Sequence, residues 1–158
     1  MSKIQDSGAR RQFGTGAVRD IQEGKGRCDL LPLEIISEWL KYEELRHIEK
    51  YIRTGDLQEL YTCMDIFCVN PENGFNTEDK NLITIEVSKH FEAGAKKYED
   101  RNWEKGIPLH SFIDSAVRHY LKHMAGQREE PHNRAFLWNI LCAIWTHKNK
   151  PELIDLCF

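Results

Sequence analysis

Residues 133–147 constrain the fold more than any other stretch of the chain. Ala135, Phe136, Leu137, Trp138, Ile140, Leu141, Ala143, Ile144 and Trp145 leave this segment almost no polar face. A helix that is apolar nearly all round belongs inside a protein, so the rest of the chain must surround it. Asn139 interrupts the apolar run. A buried amide left without partners costs about 1–3 kcal/mol, so Asn139 is expected in a polar network.

The cover is helical by the same reading. Asp29 and Pro32 open a first helix, and Leu33, Ile35, Ile36, Trp39 and Leu40 carry helical spacing through about residue 52. Thr54-Gly55-Asp56 stops that helix and starts a second, 56–68, bearing Leu57, Leu60, Tyr61, Met64 and Phe67. After the loop Asn70–Gly74, a third helix runs from Thr77 to about Tyr98 along the stripe Ile83, Val87, Phe91, Gly94. Gly106-Ile107-Pro108 breaks the chain before a fourth helix, 111–125, closed by Gly126. The alternating pattern of strands is absent over any useful length. The expected fold is all-α: a single-domain helical bundle of about five helices.

Residues 1–28 differ. They hold Gly8, Gly14, Gly16, Gly24 and Gly26 with Arg10, Arg11, Arg19, Lys25 and Arg27, and few large apolar residues. Such an arm reads either as a partly disordered terminus or as a loop that wraps an anion. It is not a Walker loop, because Lys25 is followed by Gly26. The helical domain spans 29–150, and 151–158 form a C-terminal tail.

The net charge of −3 gives no general affinity for nucleic acid. No apolar run approaches the roughly 18 residues of a membrane span, and the first residues lack a signal-peptide core. A cytoplasmic setting without membrane contact is the expectation. Five cysteines without CxxC spacing read as structural thiols, against a disulfide framework or zinc knuckle.

Candidate chemistry concentrates in His90–Gly106 and in the two helices that follow. Lys96, Lys97, Arg101, Lys105 and Arg118 form a local positive field. It reads either as complementing a helix C-terminus or as a polyphosphate clamp. Tyr98 and Trp103 are candidates to stack on a base, or to fill core. On the fourth helix Asp114 and Arg118 are spaced as an ion pair. His119 and His123, also four apart, suit a shared ion or are simple neighbours. Glu130 and His132, at the entry to the apolar helix, read either as metal ligands or as loop polarity and capping.

The strings Gly26–Pro32, Glu92–Tyr98, Arg101–Gly106, Asp114-Ser115-Ala116-Val117-Arg118-His119, and His132 followed by Trp138-Asn139 together carry a resemblance. The chain resembles the phage-encoded dATP/dGTP diphosphohydrolase family over residues 8–40 and 82–147. Residues 41–80 carry no alignable motif and read as a candidate insertion. The family is similar to all-α nucleoside triphosphate pyrophosphohydrolases, in which helix-borne carboxylates bind Mg²⁺ and water attacks a phosphate. The resemblance implies hydrolysis of dATP or dGTP to monophosphate and pyrophosphate, in a viral or prophage setting. It implies Mg²⁺ (or Mn²⁺) as cofactor, a purine nucleotide as ligand and a homo-oligomer as assembly, in the host cytoplasm where the protein is viral.

By the same resemblance Glu92 and Asp114 are metal-site carboxylates with catalytic roles. His119 is a further catalytic candidate, and Glu130 and His132 are metal candidates. Lys97, Arg101 and Arg118 contact phosphate, with Lys25 and Arg27 of the arm as further substrate contacts. Asn102, Trp103 and Asn139 shape the pocket. The chain departs from the helical pyrophosphohydrolases in one respect. Their Glu-x-x-Glu and Glu-x-x-Asp pairs are missing from this region, and the one Glu-x-x-Asp is Glu152–Asp155. That departure motivates the alternative of a nucleotide-binding protein without catalysis, such as a sponge for a signalling nucleotide.

Overall fold

The computed structural model describes residues 8–158. Among them are six α-helices: α1 (Leu33–Leu40), α2 (Glu43–Thr54), α3 (Leu57–Val69), α4 (Lys80–Lys97), α5 (Leu109–Met124) and α6 (His132–Asn149). The fold is mostly α, as expected. α6 lies at its centre, packed against α3, α4 and α5. Phe136, Ile140 and Ala143 of α6 are wholly buried with Phe112, Ile113 and Val117 of α5. Phe67 of α3 brings its ring 4.7 Å from Phe136 and 6.1 Å from Tyr120, a geometry that adds to area burial.

Two features differ from the expected bundle. The helix expected over 33–52 is two helices, because Lys41 adopts a left-handed conformation (φ 62°) and ends α1. No glycine or proline marks that break. α1 then packs against α2, with Leu33 buried while Ile35 and Trp39 face outward, Trp39 75% exposed. The second difference is a two-stranded antiparallel hairpin, β1 (Arg10–Gln12) and β2 (Val18–Asp20), pairing Arg10 with Asp20, Arg11 with Arg19 and Gln12 with Val18. Strands of three residues are too short to show periodicity in sequence, and a lone hairpin is marginal in water. Contacts with the bundle hold this one.

Those contacts are specific. The side-chain amide of Asn102 imitates a third strand: Val18 N donates to its Oδ1 at 2.8 Å, and its Nδ2 donates to Val18 O at 2.8 Å. Ala17 is wholly buried. Thr15 Oγ1 donates to Gly106 O. Gly106 sits at φ 120°, where a Cβ would stand 2.7 Å from Leu153, so glycine is required at this junction of hairpin, bundle and tail. Further along, Arg118 donates to Gly26 O at 2.7 Å, and Cys28 N donates to Asp114 Oδ1 at 2.7 Å. The 8–28 segment is thereby pinned along α5.

Residues 41–80 contribute to the same core, since Leu45, Ile48, Tyr51, Leu60, Cys63 and Phe67 are wholly buried. The tail returns as well. Asp155 accepts from His110 N at 2.9 Å at the start of α5, and Phe158 lies 5.5 Å from the ring of Tyr51. All five cysteines are free. No described helix is long and apolar enough to cross a membrane.

Candidate active site

A cavity of about 800 Å³ opens between the hairpin, the C-terminal half of α4, the turn at 102–105, α5 and α6. That volume suits a small-molecule ligand. α5 supplies one face, Asp114, Ser115, Arg118, His119 and Lys122, spaced one helical turn at a time. α4 supplies His90, Phe91 and Lys97, α6 supplies Trp138 and Asn139, and the hairpin supplies Arg11, Arg19 and Asp20.

At one end His119, Glu130 and His132 converge, with one ligand atom from each within 4.8 Å of the others. His119 Nδ1 stands 2.9 Å from His132 Nδ1 and 3.4 Å from Glu130 Oε1, and His132 Nδ1 stands 3.6 Å from the same oxygen. Donors about 2.1 Å from a shared ion lie about 3.0 Å apart at right angles and about 3.4 Å apart at the tetrahedral angle, so these spacings come close to those of one metal ion. His132 is also oriented for it. Its Nε2 lies 2.7 Å from Glu129 Oε1. A proton held there for Glu129 leaves the Nδ1 lone pair facing the cluster, the usual carboxylate–histidine–metal relay. Burial, reinforced by His132, holds the His119 pKa well below its ordinary value, so its ring is neutral and a competent ligand. Two imidazoles and one carboxylate suit a first-row ion such as Mn²⁺ better than Mg²⁺, which prefers an all-oxygen shell.

His123 does not join this cluster. Its Nε2 meets Asn73 Oδ1 at 3.2 Å, and its ring packs on Phe67 inside the core. Glu92 lies outside the cavity, its side chain 60% exposed and its carboxylate 3.9 Å from Lys96. Asp114 lines the cavity, but its oxygens accept from Arg118 at 2.6 Å and from Cys28 N at 2.7 Å. The structure thus gathers His119, Glu130 and His132, while Glu92 lies outside the cavity and Asp114 is paired with Arg118 in its wall.

Most of the other predicted residues lie along the cavity. Lys97 is paired with Asp20 at 2.7 Å. Tyr98 accepts from Asp20 N and donates to its Oδ1, both at 3.1 Å. Burial and then Asp20 push the Tyr98 phenol up to about 12. Arg101 is an exposed rim residue paired with Glu104, and Lys25 is an exposed residue at the cavity wall. Arg27 does not line the cavity; it pairs with Asp29 at 2.7 Å. Trp103 packs edge-on to Trp145 at 5.1 Å and supports the wall. Asn139 has the network expected of it: Nδ2 donates to Ala135 O at 2.8 Å and Oδ1 accepts from Arg19 at 3.4 Å.

Arg19, Glu129 and His90 carry no site role in the sequence reading. Arg19 reaches Ser115 Oγ at 2.9 Å and lies over the rings of Phe112 and Trp138. Burial, followed by repulsion from Arg11, lowers its pKa to about 10. Glu129, in the loop before α6, stands 2.7 Å from His132 Nε2. The His90 ring lies tilted against Trp138 with centroids 5.4 Å apart, and burial with nearby Arg134 depresses its pKa to about 3. The available signal was two arginines flanking Gly14 and Gly16 at hairpin spacing.

Residues 81–156 match the family model described as dATP/dGTP diphosphohydrolase, N-terminal. Comparison with curated proteins and with solved structures gave no match. The matched segment holds His119, Glu130, His132, Asp114 and Arg118 together, on α5, on α6 and in the loop between them. Residues 81–156, just under half of the chain, are thus similar to the dATP/dGTP diphosphohydrolase N-terminal family.

Proposed function

We propose that the protein hydrolyses the purine deoxynucleoside triphosphates dATP and dGTP to monophosphate and pyrophosphate. The observation that carries this reading is the His119–Glu130–His132 cluster at one end of a basic, aromatic-walled cavity. His119, Glu130 and His132 would hold a divalent ion, Mn²⁺ or a similar first-row metal in preference to Mg²⁺. When bound, that ion would supply an acidified water and a polarised phosphoryl oxygen.

The chain's own groups do the rest. Glu129 holds the proton on His132 Nε2 and so keeps its Nδ1 bare. Arg118 and Lys122, on the same face of α5 as His119, offer positive charge beside the cluster for developing phosphoryl charge. Trp138 offers an aromatic wall for the nucleoside. Asp114 has a positioning role: it steers Arg118 and fastens Cys28, which closes the arm over the site.

The reading extends to a homo-oligomeric protein acting on a nucleotide pool in the cytoplasm of a phage-infected host. The test is incubation of metal-stripped protein with every dNTP and NTP in Mg²⁺, Mn²⁺ or Zn²⁺, with products separated by chromatography. dAMP or dGMP and pyrophosphate, formed fastest with Mn²⁺, are the expected products. Tight nucleotide binding with no product under any metal would replace hydrolysis with plain nucleotide capture.

A further inference from the structure

The hairpin presents two unlike faces. On one, Arg10 and Asp20 are cross-strand partners and form an ion pair at 2.9 Å. On the other, Arg11 stands opposite Arg19. Like charges directly opposed across strands destabilise a hairpin. Both arginines line the cavity, and among the described residues neither has a carboxylate within ion-pair distance. The polar partners of Arg19, Ser115 Oγ and Asn139 Oδ1, are neutral. Arg19 Nη1 and Arg11 Nε are buried with no hydrogen-bond partner. By contrast, Lys97 and Arg118 in the same cavity already face Asp20 and Asp114.

A buried guanidinium without counter-charge is costly unless an anion completes it. Its planar fork matches phosphate oxygens two at a time. We propose that Arg11 and Arg19, opposed across the N-terminal hairpin, form the receptor for the phosphate tail of the nucleotide. The proposal rests on the nucleotide reading of this cavity. The receptor belongs to residues 10–20, outside the segment 81–156 that defines the family match. Phe112 and Trp138 beneath Arg19 keep its fork in place while the tail docks.

The experiment is calorimetric titration of inorganic triphosphate, with EDTA present so that no turnover intervenes. Wild type is compared with Arg11→Gln, Arg19→Gln, Arg19→Lys, the Arg11→Gln/Arg19→Gln double variant and the remote control Arg53→Gln. Each single glutamine variant should lose about tenfold or more in affinity, with Arg19→Lys intermediate and the control unchanged. Arg11→Gln should match or exceed the wild-type melting temperature without ligand, since repulsion is relieved. That variant keeps the test alive where the double variant fails to fold. Undiminished triphosphate affinity in a folded Arg11→Gln variant overturns the proposal. Deoxyguanosine, which lacks phosphate, should bind all variants equally, and a parallel loss of its binding also overturns it. Arginine-dependent triphosphate binding by a protein that turns over no nucleotide would sink the hydrolase reading and leave the receptor standing.

Discussion

Tyr120 and Glu44 show how single residues in this core are held. The Tyr120 phenol donates to Glu44 Oε2 at 2.7 Å, and both residues are buried. Burial first, and the adjacent carboxylate second, push the phenol pKa up, so it remains a donor at every physiological pH. Tyr120→Phe keeps the ring and removes the donor from a buried carboxylate, at about 1–3 kcal/mol. At about 2–4 °C per kcal/mol for a chain of this size, calorimetry should show the melting temperature falling by several degrees. An unchanged value would mean that Glu44 finds another donor at no cost. The same reasoning separates carboxylates at the site. Glu92 is exposed and outside the cavity, so Glu92→Ala should leave nucleotide turnover within about twofold, as surface changes usually do. Glu129 meets the far nitrogen of His132, so Glu129→Gln should weaken Mn²⁺ binding by about 10–100-fold while the metal-free protein melts within a few degrees of wild type. Equal Mn²⁺ affinity in that variant would remove Glu129 from the site.

At the scale of elements, the two departures from the expected bundle share a cause: tertiary contacts override weak local signals. Lys41 carries a positive φ that favours glycine, and the turn persists because α1 packs on α2 beyond it. A left-handed non-glycine residue costs about 1–2 kcal/mol, so Lys41→Gly should raise the melting temperature by a few degrees and Lys41→Val should lower it. Identical melting of all three proteins would show that the break costs nothing. The hairpin was equally hidden, since its stability lies in Asn102 and Ala17 contacts made about 85 residues apart in sequence. By contrast α6 was legible, because a helix with no polar face has only one place to go. The pairing of His119 with His132 was half legible. Both appear as candidates, but helical spacing alone favours His119 with His123. Only the antiparallel packing of α5 on α6 brings His132 to His119 and turns His123 toward Asn73. Arg19 stayed unread because nothing local distinguishes it from Arg27. The difference is that Arg27 finds Asp29 two residues away, and Arg19 finds the cavity.

Across the whole molecule, histidines buried without charge tie stability to pH. His123, between Phe67, Asn73 and the Arg128 region, is pushed down to about 4 by burial and then by Arg128. His90, against Trp138, is pushed down to about 3 by burial and then by Arg134 and Arg19. Unfolding returns both to about 6.5. Between those values the unfolded chain binds more protons than the folded one, and stability rises with pH wherever that holds. The contribution of these histidines is therefore complete above about pH 6.5, and it is lost progressively as pH falls toward 4. Thermal unfolding of metal-free protein should give a flat melting temperature from about pH 7 to 8 and a steady fall from about pH 6.5 to 4.5. Carboxylates titrate mostly below that window, so the upper part of the fall belongs to histidine. His90→Gln should make the slope shallower by removing one titrating group, while leaving the onset near pH 6.5. A wild-type profile flat down to pH 4.5 would mean that both rings are protonated in the folded protein. That would place water or a counter-ion beside His90 at the cavity wall and beside His123 in the core.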